Sequence, residues 1–330
     1  MKYSIIIPVY NRPDEVQELL ESLTHQRYTD FEVIIVEDGS SKPCDSVVRQ
    51  FADKLQIQYL SKSNGGPSAA RNYGAAQAQG QYFIVLDSDC VVPEGYLAEV
   101  DRELSKQPCD AWGGPDKADS GFSPIQKAIS YSMTSFLTTG GIRGGKQKLD
   151  KFYPRSFNMG LKAEVYRKLG GFSNMRFGED IDLSLRIFEQ GYSCRLFPEA
   201  WVWHKRRTDF RKFFRQVINS GIARINLEMR HPGSLKLVHA LPACFTIGVP
   251  LLIILAIVWS PWWLAPLGLY ILLLVIGATM RERSLHVGLL AVPAAFVQLG
   301  GYGMGFLWAW WRRYVLHQQE FGAFSKTFYK

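Results

Sequence analysis

The chain has 330 residues, 47% hydrophobic and 21% charged, and its 38 Lys and Arg against 30 Asp and Glu give a formal net charge of +8. That length carries one large domain or two modest ones, with ample apolar material for a core. Five cysteines, Cys44, Cys90, Cys109, Cys194 and Cys244, show neither paired spacing nor the rhythm of a cysteine metal site, which excludes a disulfide framework and points to a reducing cytoplasm.

The chain opens into a β-rich run over residues 3–9, with no cationic leader, apolar run and small-residue cleavage site, so no secretory signal is expected. Asn11-Arg-Pro-Asp14 reads as a turn and helix start, with Pro13 suited to a first helical position. Residues 31–36 predict a second buried strand ending in Glu37-Asp38-Gly-Ser40. A helix around 45–55, a short strand over 57–60, a helix around 68–79 and a strand over 82–86 follow. This βαβαβαβ order implies an α/β domain with a parallel, doubly wound sheet. A hydride-transfer Rossmann enzyme is not expected, because Pro8-Val-Tyr-Asn11 stands where its Gly-x-Gly-x-x-Gly turn belongs.

The strand over 82–86 ends in Asp87-Ser-Asp89. Side chains alternate along an extended backbone, so Asp87 and Asp89 project together at the carboxyl end of a strand, where open α/β sheets place ligands. Such a carboxylate pair suits a hard divalent cation carrying phosphates; a solvated acidic turn is the alternative. Residues 8–11, including Pro8 and Tyr10, and Asp38 point to the same edge, giving a crevice for a nucleotide diphosphate. Arg71, near the start of the helix after Asn64-Gly-Gly-Pro67, brings a cation toward the phosphates, or else forms an ion pair on a helix surface.

Beyond residue 205 the composition changes. Residues 237–311 are almost free of charge apart from Arg281, Glu282 and Arg283. Stretches 238–259 and 285–311 are long enough to cross a hydrocarbon core, which takes roughly 20 residues, and 262–280 is only just so. Trp259, Trp262, Trp263, Trp308, Trp310 and Trp311 stand at their ends as an interfacial belt would. A buried soluble bundle is the alternative. Just before them, Lys205-Arg-Arg-Thr-Asp-Phe-Arg-Lys-Phe-Phe-Arg215 combines basic residues with Phe210, Phe213 and Phe214. Its place beside a span favours membrane lipids over nucleic acid as partner. With three spans and residues 281–283 cytoplasmic, Arg312 and Arg313 fall on the far side, against the positive-inside rule. A re-entrant break at Pro293 and Gly300-Gly301 is the other arrangement.

The motifs Ile5-Ile-Ile-Pro-Val-Tyr-Asn11, Val36-Glu-Asp-Gly-Ser40, Gly66-Pro-Ser-Ala-Ala-Arg-Asn-Tyr-Gly74, Leu86-Asp-Ser-Asp89, Asn158-Met-Gly160 and Gly178-Glu-Asp-Ile-Asp182 occur in this order. Together they resemble the family 2 inverting glycosyltransferases with the A-type nucleotide-sugar (GT-A) fold. The resemblance covers essentially the whole soluble region. It implies a nucleoside-diphosphate sugar donor, Mn²⁺ or Mg²⁺, and inversion at the anomeric carbon. By it, Asp38 looks like the base-recognising carboxylate, Asp87 the ribose or metal neighbour, Asp89 a metal ligand and Asp180 the catalytic base beside Glu179. His204, after the aromatic strand Ala200-Trp-Val-Trp203, looks like a further metal ligand. Trp112, Trp201 and Trp203 are read as core residues before sugar platforms.

The chemistry of transfer asks for the same groups. An acceptor hydroxyl needs a carboxylate to take its proton, and the leaving diphosphate needs cationic charge. Glu179 and Asp180 open a helix whose Ile181, Leu185 and Phe188 are expected on one apolar face, and a helix start favours ionised carboxylates. Asp182 reads as decoration of that start.

The sequence thus divides into a catalytic domain over 1–205, a basic interfacial helix region over 206–236, a transmembrane region over 237–313 and a tail over 314–330. The expected protein is a multi-pass membrane enzyme with its catalytic domain in the cytoplasm, transferring one sugar to a lipid-linked acceptor, a polyprenyl-linked saccharide or polyprenyl phosphate. The Gln-x-x-Arg-Trp motif of processive synthases is absent, with Arg211-Lys-Phe-Phe-Arg-Gln216 in that region. A sugar nucleotidyltransferase on a related fold is one competing reading, though the Gly-rich loop with Lys that it needs after the first strand is missing; a non-catalytic membrane scaffold with a nucleotide pocket is another. Residues 113–155 include Gly140-Gly-Ile-Arg-Gly-Gly-Lys146, which reads as a flexible basic loop, a closing flap or simply a surface loop.

Overall fold

The structure, a computed structural model, describes residues 1–117, 121–140, 152–205 and 208–323. In chain order, β1 (Tyr3–Val9), α1 (Pro13–Thr24), β2 (Phe31–Asp38), α2 (Asp45–Arg49), β3 (Ile57–Lys62), α3 (Pro67–Gln77) and β4 (Tyr82–Leu86) come first. They are followed by β5 (Cys90–Val91), α4 (Tyr96–Lys106), β6 (Ala111–Gly113), β7 (Asp116–Lys117), α5 (Pro124–Thr134) and α6 (Phe136–Thr139). Then come β8 (Asn158–Lys162), α7 (Ala163–Lys168), α8 (Glu179–Glu189), β9 (Cys194–Leu196) and β10 (Val202–His204). The chain continues through α9 (Phe210–Arg230), α10 (Leu241–Val258), α11 (Ala265–Glu282) and α12 (Leu285–Trp310). It divides into two compact units, Met1–Asp119 with Phe152–Lys205, and Ser120–Lys151 with Arg206–Lys330.

The first unit is built on a seven-stranded sheet in the order β3-β2-β1-β4-β8-β6-β9. β1, β2, β3 and β4 pair in parallel, while β8 runs antiparallel to both β4 and β6. Ile5 and Ile7 face one core with Leu19, Leu20 and Val100; Ile6 and Ile34 face another with Ala70, Leu183 and Ile187. Burial on both faces is why these strands read as unbroken apolar runs rather than alternating ones. A second, three-stranded sheet, β5-β10-β7, joins β5 to β10 antiparallel and β7 to β10 parallel.

Asn158-Met-Gly160 has a packing explanation. The Asn158 side chain accepts from Tyr96 Oη at 2.6 Å and donates to Ala200 O at 2.8 Å. A Cβ on Gly160 would fall 2.0 Å from the ring of Trp112, which is wholly buried and stacks on Phe197. Trp112 is therefore a core residue. Trp201 and Trp203 pack edge to face at 4.6 Å, with Lys117 Nζ 3.7 Å from the Trp201 ring centre.

Several sequence expectations are corrected. The helix expected over 45–55 ends at Arg49, because Gln50 and Phe51 bond back three residues, to Val47 O and Val48 O, in tight turns. On α8 the residues packed into the core are Leu183 and Ile187, whereas Ile181 and Phe188 are only half-buried. The helix turns this way because Glu179, Asp180 and Asp182 are themselves buried, each beside an arginine. Residues 121–140 form α5 and α6 and belong to the second unit rather than the first. A capping box of Ser123 with Gln126 starts α5, a signal present in the sequence as Ser-Pro-x-Gln. The proposed flap from Gly141 to Lys146 lies outside the described residues.

In the second unit, α10, the segment Pro261–Glu282 containing α11, and Leu285–Val315 containing α12 are long and apolar enough to cross a membrane, with mean hydropathies of 2.6, 2.0 and 1.5. No break occurs at Pro293 or at Gly300-Gly301; α12 is continuous through both. α9 carries the expected amphipathic pattern, but Phe213 and Val217 are buried against α5 and α12 and not left for lipid. Gly301 and Gly305 of α12 make room for this, since a Cβ would lie 2.6 Å from Val217 and 2.0 Å from Ile218 O respectively.

Candidate active site

The carboxyl ends of β1, β2 and β4 lie in adjacent strands of one parallel sheet, which brings Pro8, Tyr10, Asp38, Asp87 and Asp89 to one edge. Asn11 ties the first two ends together. Its backbone takes a φ of 56°, a conformation Asn tolerates. Its N–H donates to Ser40 Oγ at 2.7 Å, and its Oδ1 accepts from Ser41 Oγ at 3.1 Å and Lys42 N at 2.9 Å.

Asp38 is buried and its carboxylate is already engaged. It accepts from Lys62 Nζ at 2.8 Å, Gly65 N at 2.9 Å and Gly66 N at 2.8 Å, while its carbonyl accepts from Asn64 Nδ2 at 2.8 Å. Asp38 thus folds the Asn64-Gly-Gly turn over the start of α3, so a nucleobase would have to share these acceptors.

Asp87 and Asp89 separate into two clusters. Asp87 Oδ1 accepts from Arg71 Nη2 at 2.8 Å. Asp89 Oδ2 accepts from Arg12 Nη1 at 2.5 Å, and its Oδ1 lies 3.3 Å from His204 Nε2. The small sheet brings the histidine here, since His204 pairs in register with Cys90. Phe157 stacks on the imidazole at 4.8 Å, and Asp116 Oδ2 lies 3.9 Å from its Nδ1, so the ring is held from both sides.

This cluster fits a divalent cation. Ligand atoms of Asp89, Cys90 and His204 lie within 4.8 Å of one another, with Asp89 Oδ1 facing His204 Nε2. Burial opposes ionisation of Asp89, but His204 and Arg12 outweigh it and hold the carboxyl well below its usual range. Burial, with Asp89 and Asp87 adding to it, pushes the Cys90 thiol well above its usual value. The donors on offer are the Asp89 carboxylate and, in its neutral form, the His204 imidazole, a set that Mn²⁺ accepts.

Arg71 differs from the surface or phosphate-facing cation expected of it. Its guanidinium is buried, with Nη1 donating to Glu179 Oε1 at 2.9 Å and Nη2 to Asp87 Oδ1 and to Ser156 Oγ at 3.1 Å. Its face lies 5.0 Å from the ring of Phe172. Arg71 thus bridges the strand-end carboxylate and the start of α8. Next to Glu179, Asp180 Oδ2 accepts from Arg155 Nε at 2.9 Å and Oδ1 from Ile181 N at 2.8 Å. Asp182 pairs instead with Arg186 at 2.8 Å.

The helix-start argument for ionised carboxylates fails at Glu179. Burial and the adjacent Asp180 push its carboxyl up to about 7, and Arg71 only partly offsets them. Arg12, Arg155, Ser156 and Asp116 escaped the sequence reading. Each acts through a partner at least 25 residues away in sequence, and only Arg12, next to Asn11, sits beside a motif that could have flagged it.

A family model described as glycosyl transferase family 2 matches residues 4–170, and one described as glycosyl transferase family group 2 matches residues 156–297. The chain belongs to glycosyl transferase family 2. Glycosyltransferase AglE of Haloferax volcanii is 26% identical over 254 residues, covering 74% of this chain and 80% of that protein. An uncharacterized glycosyltransferase of Rickettsia bellii is 41% identical over 88 residues, 27% of this chain, and the match spans only 13% of that longer protein. Among solved structures, the mannosyltransferase PcManGT from Pyrobaculum calidifontis, in complex with GDP-Man and Mn²⁺, superposes with a TM-score of 0.63 at 18% identity, over 90% of this chain and 87% of that one. The shared architecture is the GT-A fold. Family membership goes against the nucleotidyltransferase reading.

Proposed function

We propose that the protein is a metal-dependent, inverting glycosyltransferase that moves one sugar from a nucleoside-diphosphate sugar to a lipid-linked acceptor at the cytoplasmic face of a membrane. The observation that carries this reading is the meeting of Asp89 with His204 at one end of the strand-edge crevice, while Arg71 links Asp87 to the α8 carboxylates.

In this reading Asp89 and His204 hold the cation, with Asp87 as neighbour. A divalent cation there supplies charge that stabilises the departing diphosphate. Pro8, Tyr10 and Asp38 line the nucleotide end of the crevice. Asp180 receives the proton of the acceptor hydroxyl as its oxygen bonds to the anomeric carbon, and the bond from that carbon to the diphosphate breaks on the opposite face with its electron pair leaving on phosphate oxygen. The Arg155 contact orients Asp180, and the attacking hydroxyl takes up the carboxylate's remaining acceptor capacity. Glu179 holds Arg71 and, through it, Asp87.

A donor of the nucleoside-diphosphate sugar type is supported by the fold shared with a structure that holds GDP-Man and Mn²⁺. A lipid-linked acceptor is supported by the apolar helices that follow the catalytic domain. The test is a donor panel on the purified full chain in lipid, with polyprenyl phosphate and polyprenyl-linked saccharides as acceptors, reading nucleoside diphosphate release and the anomeric configuration of the product. Binding of nucleotide sugars without any turnover or hydrolysis would favour the scaffold reading instead.

A further inference from the structure

The three apolar helices are not a side-by-side bundle. α10 and α11 form an antiparallel hairpin, with the rings of Phe245 and Tyr270 5.8 Å apart and Val249, Leu252, Pro266 and Leu267 lining the groove between them toward the turn. α12 meets this hairpin in two places. Its first half touches the end of α11, where a Cβ on Gly288 would fall 2.0 Å from Thr279 Oγ1 and Ala291 and Ala295 pack with Leu274 and Ala278. Its second half touches the first turns of α10, where a Cβ on Gly303 would fall 2.0 Å from Thr246 Oγ1 and 2.3 Å from Pro242 O. Both contacts lie at the open end of the hairpin, away from its turn.

The spacing fixes the inclination of α12. Gly288 and Gly303 are 15 residues apart, about 22 Å of helix at about 1.5 Å per residue. With Phe245 beside Tyr270, the Pro242 and Thr246 contact is centred one residue before that level and the Val275 and Thr279 contact seven beyond it; the offset of six residues is about 9 Å along the hairpin. So α12 spends most of its length moving sideways. Its 26 residues, about 39 Å, advance about 16 Å along the hairpin axis, roughly half of a 30 Å hydrocarbon core.

A second observation agrees. α9 lies along α12, with Val217 against Gly301 and Val297, and Gly221 against Tyr302 O. α9 carries Arg211, Lys212, Arg215, Arg224 and Arg230, so driving α12 through the bilayer would drag these charges into hydrocarbon. The chain after α12 also returns to α9, with Asn226 Nδ2 donating to Phe321 O at 3.0 Å and Ala323 N to Asn219 Oδ1 at 2.8 Å. The hairpin, by contrast, exposes Ile247, Ile254, Leu269 and Leu272, with Trp259 and Trp262 at its turn.

We propose that the α10–α11 hairpin alone crosses the membrane, and that α12 lies obliquely beside α9 at the cytoplasmic surface. This arrangement keeps Arg281, Arg283, Arg312 and Arg313 on one side of the membrane, because α12 advances through only half of the core, and it removes the conflict with the positive-inside rule that three spans create. It leaves the tryptophans of the turn at the opposite interface.

The test uses the full chain with Cys194→Ala and Cys244→Ala, carrying one of His286→Cys, Ser260→Cys or Gln319→Cys, in sealed right-side-out and inside-out vesicles treated with a membrane-impermeant maleimide. Positions 286 and 319 should react in inside-out vesicles and 260 in right-side-out ones. A protease site inserted at the same three positions gives a second readout where a thiol is silent. Reaction of 319 from the side opposite to 286 would mean that α12 crosses, and reaction of 260 from the same side as 286 would mean that the hairpin does not; either overturns the proposal. Neither outcome bears on sugar transfer, which the donor panel reads separately.

Discussion

Arg71 Nη1 lies 2.9 Å from Glu179 Oε1, joining the helix that starts the α8 carboxylates to the strand-end carboxylate Asp87 on the other side of the same guanidinium. Arg71 and Glu179 are buried and Asp87 is half-buried, so the guanidinium keeps its charged partners only while both carboxylates stay in place. Breaking such a buried group by removing one partner costs about 3–5 kcal/mol. Arg71→Ala should therefore lower the thermal midpoint and weaken nucleotide binding together. Arg71→Lys should recover much of the stability but not the two-sided geometry. A thermal melt and a nucleotide titration on both variants check this; an Arg71→Ala protein as stable as wild type would show that the bridge is dispensable.

The raised carboxyl of Glu179 gives stability a pH dependence of known sign. Its ordinary value is 4.5 and its folded value is pushed up to about 7. Between those values the folded chain holds a proton that the unfolded chain has lost, so this group's contribution to stability falls as pH rises from 4.5 to about 7. Glu179→Gln keeps an oxygen for Arg71 and removes the titration. Denaturant melts across that window should be flatter in pH for the variant, and equal slopes would refute the assignment.

Asp180→Asn should leave nucleotide affinity close to wild type while transfer falls by roughly a hundredfold or more, the scale of losing a general base. Asp182→Asn is the paired control. Asp182 holds Arg186 at 2.8 Å, and Arg186 donates in turn to Leu169 O and Gly171 O at 2.7 and 2.8 Å. Its loss should appear in the melting temperature first. Single-turnover rates with saturating donor separate the two, and a larger rate loss in Asp182→Asn would reverse their roles.

Calorimetry with nucleoside diphosphate and Mn²⁺, Mg²⁺ or chelator tests the cation site. Asp89→Ala should abolish the metal-stimulated part of binding. His204→Ala should weaken it and move preference toward Mg²⁺, because the site then loses its nitrogen donor. Asp110→Ala should change neither, since Asp110 is occupied with Lys162 and Ser193. Wild-type affinity that is the same with and without metal would sink the two-ligand site.

Much of the first unit was legible in the sequence for a simple reason. Residues 5–7, 33–36 and 83–86 are apolar runs of strand length separated by helix starts, and strands buried on both faces require such runs. The strand-end carboxylates were legible too, because a strand's end is a local property. Most partners of those carboxylates were not. His204 was reached only through the family resemblance, while nothing near Asp89 announces Arg12 and nothing near Glu179 announces Arg71, since those contacts span 77 and 108 positions of the chain.

The sequence alone determined the α/β order of elements, the Asp87-Ser-Asp89 edge and the apolar character of residues 237–311, because propensity, periodicity and hydropathy are written locally. Only the tertiary structure decided how Arg71 is spent and which face α8 buries. It also decided where α12 runs relative to the α10–α11 hairpin. Burial sets the first two, since a guanidinium or carboxylate taken out of water must be satisfied by whichever charge the fold brings near. Close packing sets the third: Gly288 and Gly303 fix where α12 touches the hairpin, and hydropathy, which carries length but no direction, contains no record of that angle.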